Sequence, residues 1–178
     1  MMIRTLAFAA ALAVSSTLVS PTLVWAATAR PSPEARLQRL EDIEAIRNLL
    51  VDYGRTLDRR DFKAYAALFA REGVWDGGFG AGRGPAAIQA MMEKQMGGQL
   101  ITGTQKNFHV LSSFRIEVWG DTATAWSRWT FMGEGQDGKL QPIYAGRYDD
   151  QFVREDGTWK FKLRKVTGDG PPAGPPPK

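Results

Sequence analysis

Three side chains could do chemistry together: Tyr53 and Asp58, five residues apart in D-I-E-A-I-R-N-L-L-V-D-Y-G-R-T-L-D-R-R-D (residues 42–61), and His109, the chain's single histidine. An imidazole can take and return a proton near neutral pH, and a phenol or a carboxylate can hold its partner. The rest of the composition narrows the options. Cysteine is absent, so thiol nucleophiles and Cys-ligated metals are excluded. With one imidazole, a zinc or iron site is not expected, and no Asp-rich loop has calcium-binding spacing. No metal and no cofactor is expected.

Each candidate also has a bland reading. Five residues turn a helix by ~140°, so Tyr53 and Asp58 do not share a face while the helix stays regular. Tyr53 sides with Leu50 and Leu57 toward the core. Asp58 can turn inward only if the helix finishes there, as Arg59-Arg60-Asp61 suggests; otherwise it is a solvated carboxylate beside an arginine. His109 lies in N-F-H-V-L-S-S-F-R-I-E-V. Strict alternation groups it with Arg115 and Glu117 on the polar face. A β-bulge near Ser112-Ser113 would reverse parity and bring His109 and Leu111 inward. Sheet curvature favours the bulge, and both placements remain open at this point.

The elements that must position these residues can be read from periodicity. Residues 1–26 resemble a signal peptide: Arg4, then L-A-F-A-A-A-L-A-V, then Val24-Trp25-Ala26 with cleavage near Ala26. Ser15, Ser16, Thr17, Ser20 and Pro21 interrupt that run, so a membrane span of ~20 apolar residues is not expected. The mature protein is expected to be periplasmic or secreted, without a stable membrane anchor. Residues 27–35 read as a linker. Leu37, Leu40, Ile43, Ile46, Leu50, Tyr53 and Leu57 mark an amphipathic helix over 34–57. Asp61 suits the N-cap of a second helix, 62–71, closed by Gly73. V-W-D then makes a brief strand, and G-G-F-G-A-G-R-G (77–84) reads as a mobile loop without the Lys-Ser/Thr of a phosphate loop. Pro85 opens a third helix that ends at Gly97-Gly98.

From residue 106 the period becomes two. Strands are predicted over 106–119, 122–132, 143–154 and 159–166, joined by turns at Gly120-Asp121, Gly133–Gly138 and Asp156-Gly157. In the last strand Trp159, Phe161 and Leu163 should face inward and Lys160, Lys162 and Arg164 outward. Helices first and an antiparallel sheet afterwards make an α+β domain over 36–169, with a ligand cavity at the wide end. The tail 170–178 is Pro/Gly-rich and cannot bury a core. The net charge is +4, but both signs alternate along the chain, so no basic surface for nucleic acid is expected.

The block from Asp42 to Ala70 resembles the opening of a SnoaL-like domain, in the nuclear transport factor 2-like superfamily. So do G-P-A-A-I-Q-A-M-M, H-V-L-S-S-F-R-I-E-V-W-G-D-T-A-T-A-W-S-R-W and A-G-R-Y-D-D-Q-F-V-R-E-D-G-T-W-K-F. The resemblance implies a cone: three N-terminal helices on a strongly curved, mostly antiparallel mixed sheet that encloses a pocket. Bile acid dehydratases share the pattern Tyr-x4-Asp on the first helix with a His on the first long strand, matched here by Tyr53, Asp58 and His109. Hexachlorocyclohexane dehydrochlorinase has a similar Asp–His pair. By that resemblance Asp58 would orient His109, His109 would take a proton from carbon, and Tyr53 would donate to a carbonyl or a leaving group.

The family pattern is incomplete. Residues that scytalone dehydratase adds, and the extra acid of the bile acid enzymes, align near Gly133 and Gly77. The ketosteroid isomerase base also falls near Gly77, where Asp76 could substitute. The resemblance therefore implies a cofactor-independent lyase, dehydratase-like, or an isomerase acting on a small apolar molecule. The alternative is a non-catalytic binder of such a molecule. Trp75, Asp76, Met92, Trp126, Trp129 and Phe131 are the expected substrate-binding residues. A homo-oligomer, dimer or trimer, is expected through the sheet, with Trp119 and Trp129 contributing.

Overall fold

The computed structural model describes residues 30–98, 100–101, 106–135 and 137–170. The signal segment 1–26, its cleavage site, residues 27–29 of the linker and residues 171–178 of the tail lie outside the described residues. Among the described residues no helix is long and apolar enough to cross a membrane.

Helix α1 spans Pro33–Asp58. Ser32 caps it by accepting from the Ala35 amide at 3.2 Å, and Pro33 occupies the first turn, where its missing N–H costs nothing. The buried stripe is Ile46, Leu49, Leu50, Tyr53 and Leu57. Leu37 and Leu40, expected on that stripe, are 58% and 63% exposed. Twenty-six residues make a rod of ~39 Å, and burial along it begins only at Asp42.

The second helix is shorter than expected. Helix α2 runs only from Phe62 to Ala66, with Asp61 accepting from the Ala64 amide at 3.0 Å. The chain leaves it because Leu68 is already tied to the sheet: its carbonyl accepts from the Phe161 amide at 3.0 Å. Strand β1 follows over Phe69–Gly77. Gly73 is no helix stop but a strand residue, where a Cβ would come within 2.6 Å of the Phe161 carbonyl oxygen. The glycine run is a hairpin rather than a loop. Gly77 pairs with Gly80, and β2 (Gly80–Arg83) returns antiparallel to β1. Helix α3 then spans Pro85–Met96 and buries Ile88 and Met92.

Four long strands complete the sheet: β3 Phe108–Trp119, β4 Thr122–Glu134, β5 Leu140–Glu155 and β6 Thr158–Gly168. The order is β2-β1-β6-β5-β4-β3, antiparallel throughout except where β1 lies parallel to β6. This is the expected α+β architecture, with the helices packed against one face of a curved mixed sheet. Register slips mark bulges, and each reverses the parity of the residues beyond it.

One bulge corrects the expected facing of β6. Phe161 pairs with Phe152 but Leu163 pairs with Gln151, so Lys162 is an extra residue. Trp159 and Phe161 are buried as expected, yet beyond Lys162 it is Arg164 that turns in, fully buried. Asp150 receives it bidentately, at 2.8 Å from Nε and 2.6 Å from Nη2. The guanidinium carbon lies 3.8, 4.0 and 4.3 Å from the ring centroids of Tyr53, Tyr148 and Phe161. Burial opposes charge on Arg164, but Asp150 outweighs it and holds the guanidinium above the ordinary arginine range.

At the other end Asp42 fastens α1 to the sheet. Its Oδ1 accepts from Arg154 Nη2 at 2.5 Å, Trp159 Nε1 at 3.1 Å and Gln38 Nε2 at 3.2 Å. Burial would raise this carboxyl, but the hydrogen bonds from Arg154, Trp159 and Gln38 outweigh it and hold it below its usual range.

Removing one partner of the buried pair strands the other. Asp150→Ala should lower unfolding free energy by about 3–5 kcal/mol, whereas Asp150→Leu with Arg164→Met should be far milder or stabilising; urea denaturation reads both. Because the Asp42 carboxyl is depressed in the fold, its stabilisation is complete above the unfolded value and lost as pH falls through the folded one. The stability gap between wild type and Asp42→Asn should be constant above about pH 5 and narrow below about pH 4 in the same assay.

Candidate functional site

Asp58 is the last residue of α1. The helix stops in a two-bond lock: the Asp61 amide donates to the Thr56 carbonyl at 2.9 Å and Arg60 to Leu57 at 3.0 Å. Arg60 takes the left-handed backbone, φ +56°, that this termination requires. The ending frees Asp58 from the regular helical face and lets it reach the sheet.

Strand β3 is an edge, so alternate amides on its outer side have no strand partner. Asp58 covers one of them. The His109 amide donates to Asp58 Oδ2 at 2.9 Å, and His109 Nδ1 lies 2.5 Å from Asp58 Oδ1. A carboxylate accepts, so Nδ1 is the nitrogen that carries the proton, and in the neutral ring Nε2 presents a lone pair. Helix and strand keep step beside the pair. Four helical residues rise ~6.0 Å and two strand residues ~6.6 Å. Gly54 therefore meets Leu111 as Asp58 meets His109, and a Cβ on Gly54 would sit 3.3 Å from Leu111 Cδ1.

The inward placement of His109 comes from the bulge. Ser112 pairs with Arg128 and Arg115 with Trp126, leaving Ser113 and Phe114 between them, with Ser113 at φ +56°. His109 and Leu111 share the inner face with Phe131 and Trp129, while Arg115 and Glu117 face out. The side chains of Asp58 and His109 keep 9% and 13% of their area exposed, so the pair opens to solvent.

Tyr53 sits deeper. Its hydroxyl accepts from Tyr65 Oη at 2.9 Å and Trp75 Nε1 at 3.1 Å. Burial first, then the neighbouring Tyr53 phenol, pushes Tyr65 well above the tyrosine range, so Tyr65 stays a donor. With two donors pointing at it, the Tyr53 oxygen keeps its own proton to give. No hydrogen bond among the described residues joins Tyr53 to the Asp58–His109 pair. The connection is aromatic: His109 to Trp129 at 6.2 Å, Trp129 to Tyr148 at 5.9 Å, Tyr148 to Tyr53 at 5.6 Å.

Of the expected binding residues, Trp129 and Phe131 flank His109, the latter at 5.0 Å between centroids. Trp75 is buried beneath Tyr53, and Met92 packs in the core. Two expectations are corrected. Trp126 is 38% exposed on the opposite sheet face, because β4 alternates and 126 differs in parity from 129 and 131. Asp76 is exposed and pairs with Ala81 and Lys165, one residue out of phase with the buried Trp75, so it cannot stand in for a base beside Tyr53. Trp129, facing in, also cannot serve an outer-face contact; Trp119 can.

Sequence reasoning missed Asp150, Arg164, Tyr65 and Tyr148 around Tyr53. A signal existed for two of them: Tyr148-x-Asp150-x-Phe152 alternates on the buried face of β5. Two clefts, of about 490 and 580 Å³, lie away from His109. The first is on the outer sheet face, bordered by Arg115, Trp126 and Asp149, and the second is beside Asp42 and Arg154. Among the described residues no three His, Asp or Glu side chains converge as metal ligands.

Comparison with known proteins agrees with this fold. A model of the SnoaL-like domain matches residues 38–165. The uncharacterised protein Rv2910c of Mycobacterium tuberculosis is 31% identical over 136 residues, 71% of this chain and 84% of that protein. A solved nuclear transport factor 2-like protein with a cystatin-like fold, from Novosphingobium aromaticivorans, superposes with TM-score 0.68 at 30% identity, covering 78% of this chain and 89% of its own. A candidate scytalone dehydratase of that organism gives 0.62 at 25% identity, covering 76% and 89%. With a domain match across most of the chain and helices packed on a bent mixed sheet, this protein belongs to the SnoaL-like domain family.

Proposed function

We propose that this protein is a cofactor-independent lyase or isomerase that removes a proton from carbon in a small, apolar molecule. The observation that carries the reading is the two-point hold of Asp58 on His109, at 2.9 Å to the amide and 2.5 Å to Nδ1. Asp58 fixes the tautomer and stabilises the imidazolium that forms; Nε2 is the base. Such an arrangement needs nothing further to abstract a proton, provided the acceptor side of the substrate is stabilised. Tyr53 is the expected donor, its hydroxyl buried behind Trp129 and Tyr148. Tyr65 and Trp75 polarise its hydroxyl and the Arg164 cation lies over its ring, so negative charge developing on a substrate oxygen would be favoured there.

The reading is also of an exported protein, by its leader sequence, working as a homo-oligomer. The outer face of the sheet supports self-association: Trp119 and Trp126 stand exposed there among the alternating charges of Arg115, Glu117, Asp149 and Lys165. The non-catalytic alternative, a binder of the same molecule, keeps the aromatic surroundings and assigns no work to the Asp58–His109 pair.

Small molecules co-purifying with wild type, Asp58→Ala and His109→Ala, identified by mass spectrometry, decide between them and supply the substrate. Unconverted substrate should accumulate on the two variants, and turnover should fall about 10²–10⁴-fold for His109→Ala. Tyr53→Phe should cost about 10²–10³-fold in kcat. Identical molecules on all three proteins, with equal affinity, would establish the binder instead.

A further inference from the structure

The sheet-facing side of α1 changes chemistry at Asp42. Continued toward the N-terminus in steps of three and four, the buried stripe runs through Asp42, Arg39, Gln38 and Ala35, where an amphipathic helix would place leucines. The leucines stand elsewhere: Leu37 and Leu40 are 58% and 63% exposed. Polar side chains turned toward the sheet leave room instead of a core. The second cleft, of about 580 Å³, lies there, bordered also by Val118 and Asp121 at the β3–β4 turn and by Arg154. Breaks of this kind in a helix pattern concentrate at functional or strained sites.

Arg154 fixes the acidic half of the cleft. Its Nη2 donates to Asp42 Oδ1 at 2.5 Å and its Nε to Asp121 Oδ1 at 2.9 Å, while its guanidinium carbon lies 4.5 Å from the Trp159 ring centroid. Trp159 and Gln38 donate to the same Asp42 oxygen. Oδ2 of Asp42 and Oδ2 of Asp121 accept from no group among the described residues. The Asp42 side chain is only 8% exposed, yet the sealed side-chain atoms without a partner are Ser127 Oγ and Arg164 Nη1. Asp42 Oδ2 is not one of them, so it opens on the cleft.

The basic half is unclaimed. On this same helix Glu44–Arg47 and Asp52–Arg55 pair across three residues, at 3.8 and 3.0 Å. Arg39 and Asp42 have the same spacing, ~5–6 Å between Cβ atoms, but Asp42 is turned to Arg154 instead. Arg39 makes no ion pair among the described residues. An open guanidinium and an open carboxylate oxygen thus stand one helical turn apart, beside the apolar Ala35 and Val118. Two cations and two anions border the cleft, so neither a bare anion nor a bare cation is favoured. A molecule carrying both charges close together fits.

We propose that this cleft binds a free α-amino acid with an apolar side chain, its ammonium on Asp42 Oδ2 and Asp121, its carboxylate on Arg39 and its side chain against Val118 and Ala35. The site is separate from the Asp58–His109 pair and does not rest on the chemistry assigned to that pair.

The test titrates three probes calorimetrically into wild type, Arg39→Gln, Asp121→Asn and Trp126→Ala. The probes are L-leucine, 3-methylbutylamine, which lacks the carboxylate, and 4-methylpentanoate, which lacks the ammonium. Leucine should bind wild type about tenfold tighter than either half-ligand. Arg39→Gln should weaken leucine about tenfold and leave the amine within about twofold, so that the two bind alike. Asp121→Asn should weaken leucine and the amine while sparing the acid. Both side chains are exposed, so melting temperatures should stay near that of wild type and lost binding is not lost fold. Trp126→Ala, in the other cleft, should change nothing. The proposal is overturned if wild type fails to bind leucine, or if either half-ligand binds as tightly. It is equally overturned if Arg39→Gln and Asp121→Asn bind leucine unchanged, or if Trp126→Ala weakens it as much as they do.

Discussion

A carboxylate with one oxygen on a backbone amide and the other on an imidazole of the same residue cannot swing away without breaking both bonds. Asp58 is held in that way by His109, and much of the fold exists to let the two meet. Helix α1 must end at Asp58, which Arg60 achieves in a conformation usually left to glycine. Strand β3 must be an edge, with its amide free. The bulge at Ser113 must set parity so that the imidazole turns toward the helix. Gly54 must carry no side chain where Leu111 approaches. Each is a small local cost, of the kind that proteins retain where geometry matters to function.

Behind this pair the interior is unusually polar in content yet closed. Arg164 is buried between the rings of Tyr53, Tyr148 and Phe161 and pinned by Asp150. A buried ion pair seldom adds net stability against an apolar substitute. What it does here is place a permanent positive charge against the ring of a phenol whose oxygen already accepts two hydrogen bonds. Electrostatics of this type act best in a dry setting, and every group in the cluster is buried.

How much of this was legible depended on whether the controlling feature left a mark in local sequence. The helix end did: Arg59-Arg60-Asp61 after an apolar stripe signals termination. The bulge in β3 did, because a histidine on the polar side of a curved sheet conflicted with Leu111, and the double serine offered a place to slip. The bulge at Lys162 did not. Trp159 to Arg164 alternates perfectly, so nothing local warns that register with Gln151 and Phe152 slips there and sends Arg164 inward. The short α2 was illegible for a related reason, since the pull that ends it comes from Phe161, far along the chain. Trp126 and Asp76 were misplaced more simply, because each sits one residue out of phase with its buried neighbours.

The proposed chemistry depends on the protonation geometry of one ring, and a chain with a single histidine gives an unobstructed view of it. Nitrogen NMR of protein labelled in histidine should show that the neutral ring carries its proton on Nδ1 and leaves Nε2 bare, with a far-downfield Nδ1 proton that vanishes in Asp58→Asn. An imidazole averaging between tautomers, with the same spectrum in wild type and Asp58→Asn, would contradict the central claim.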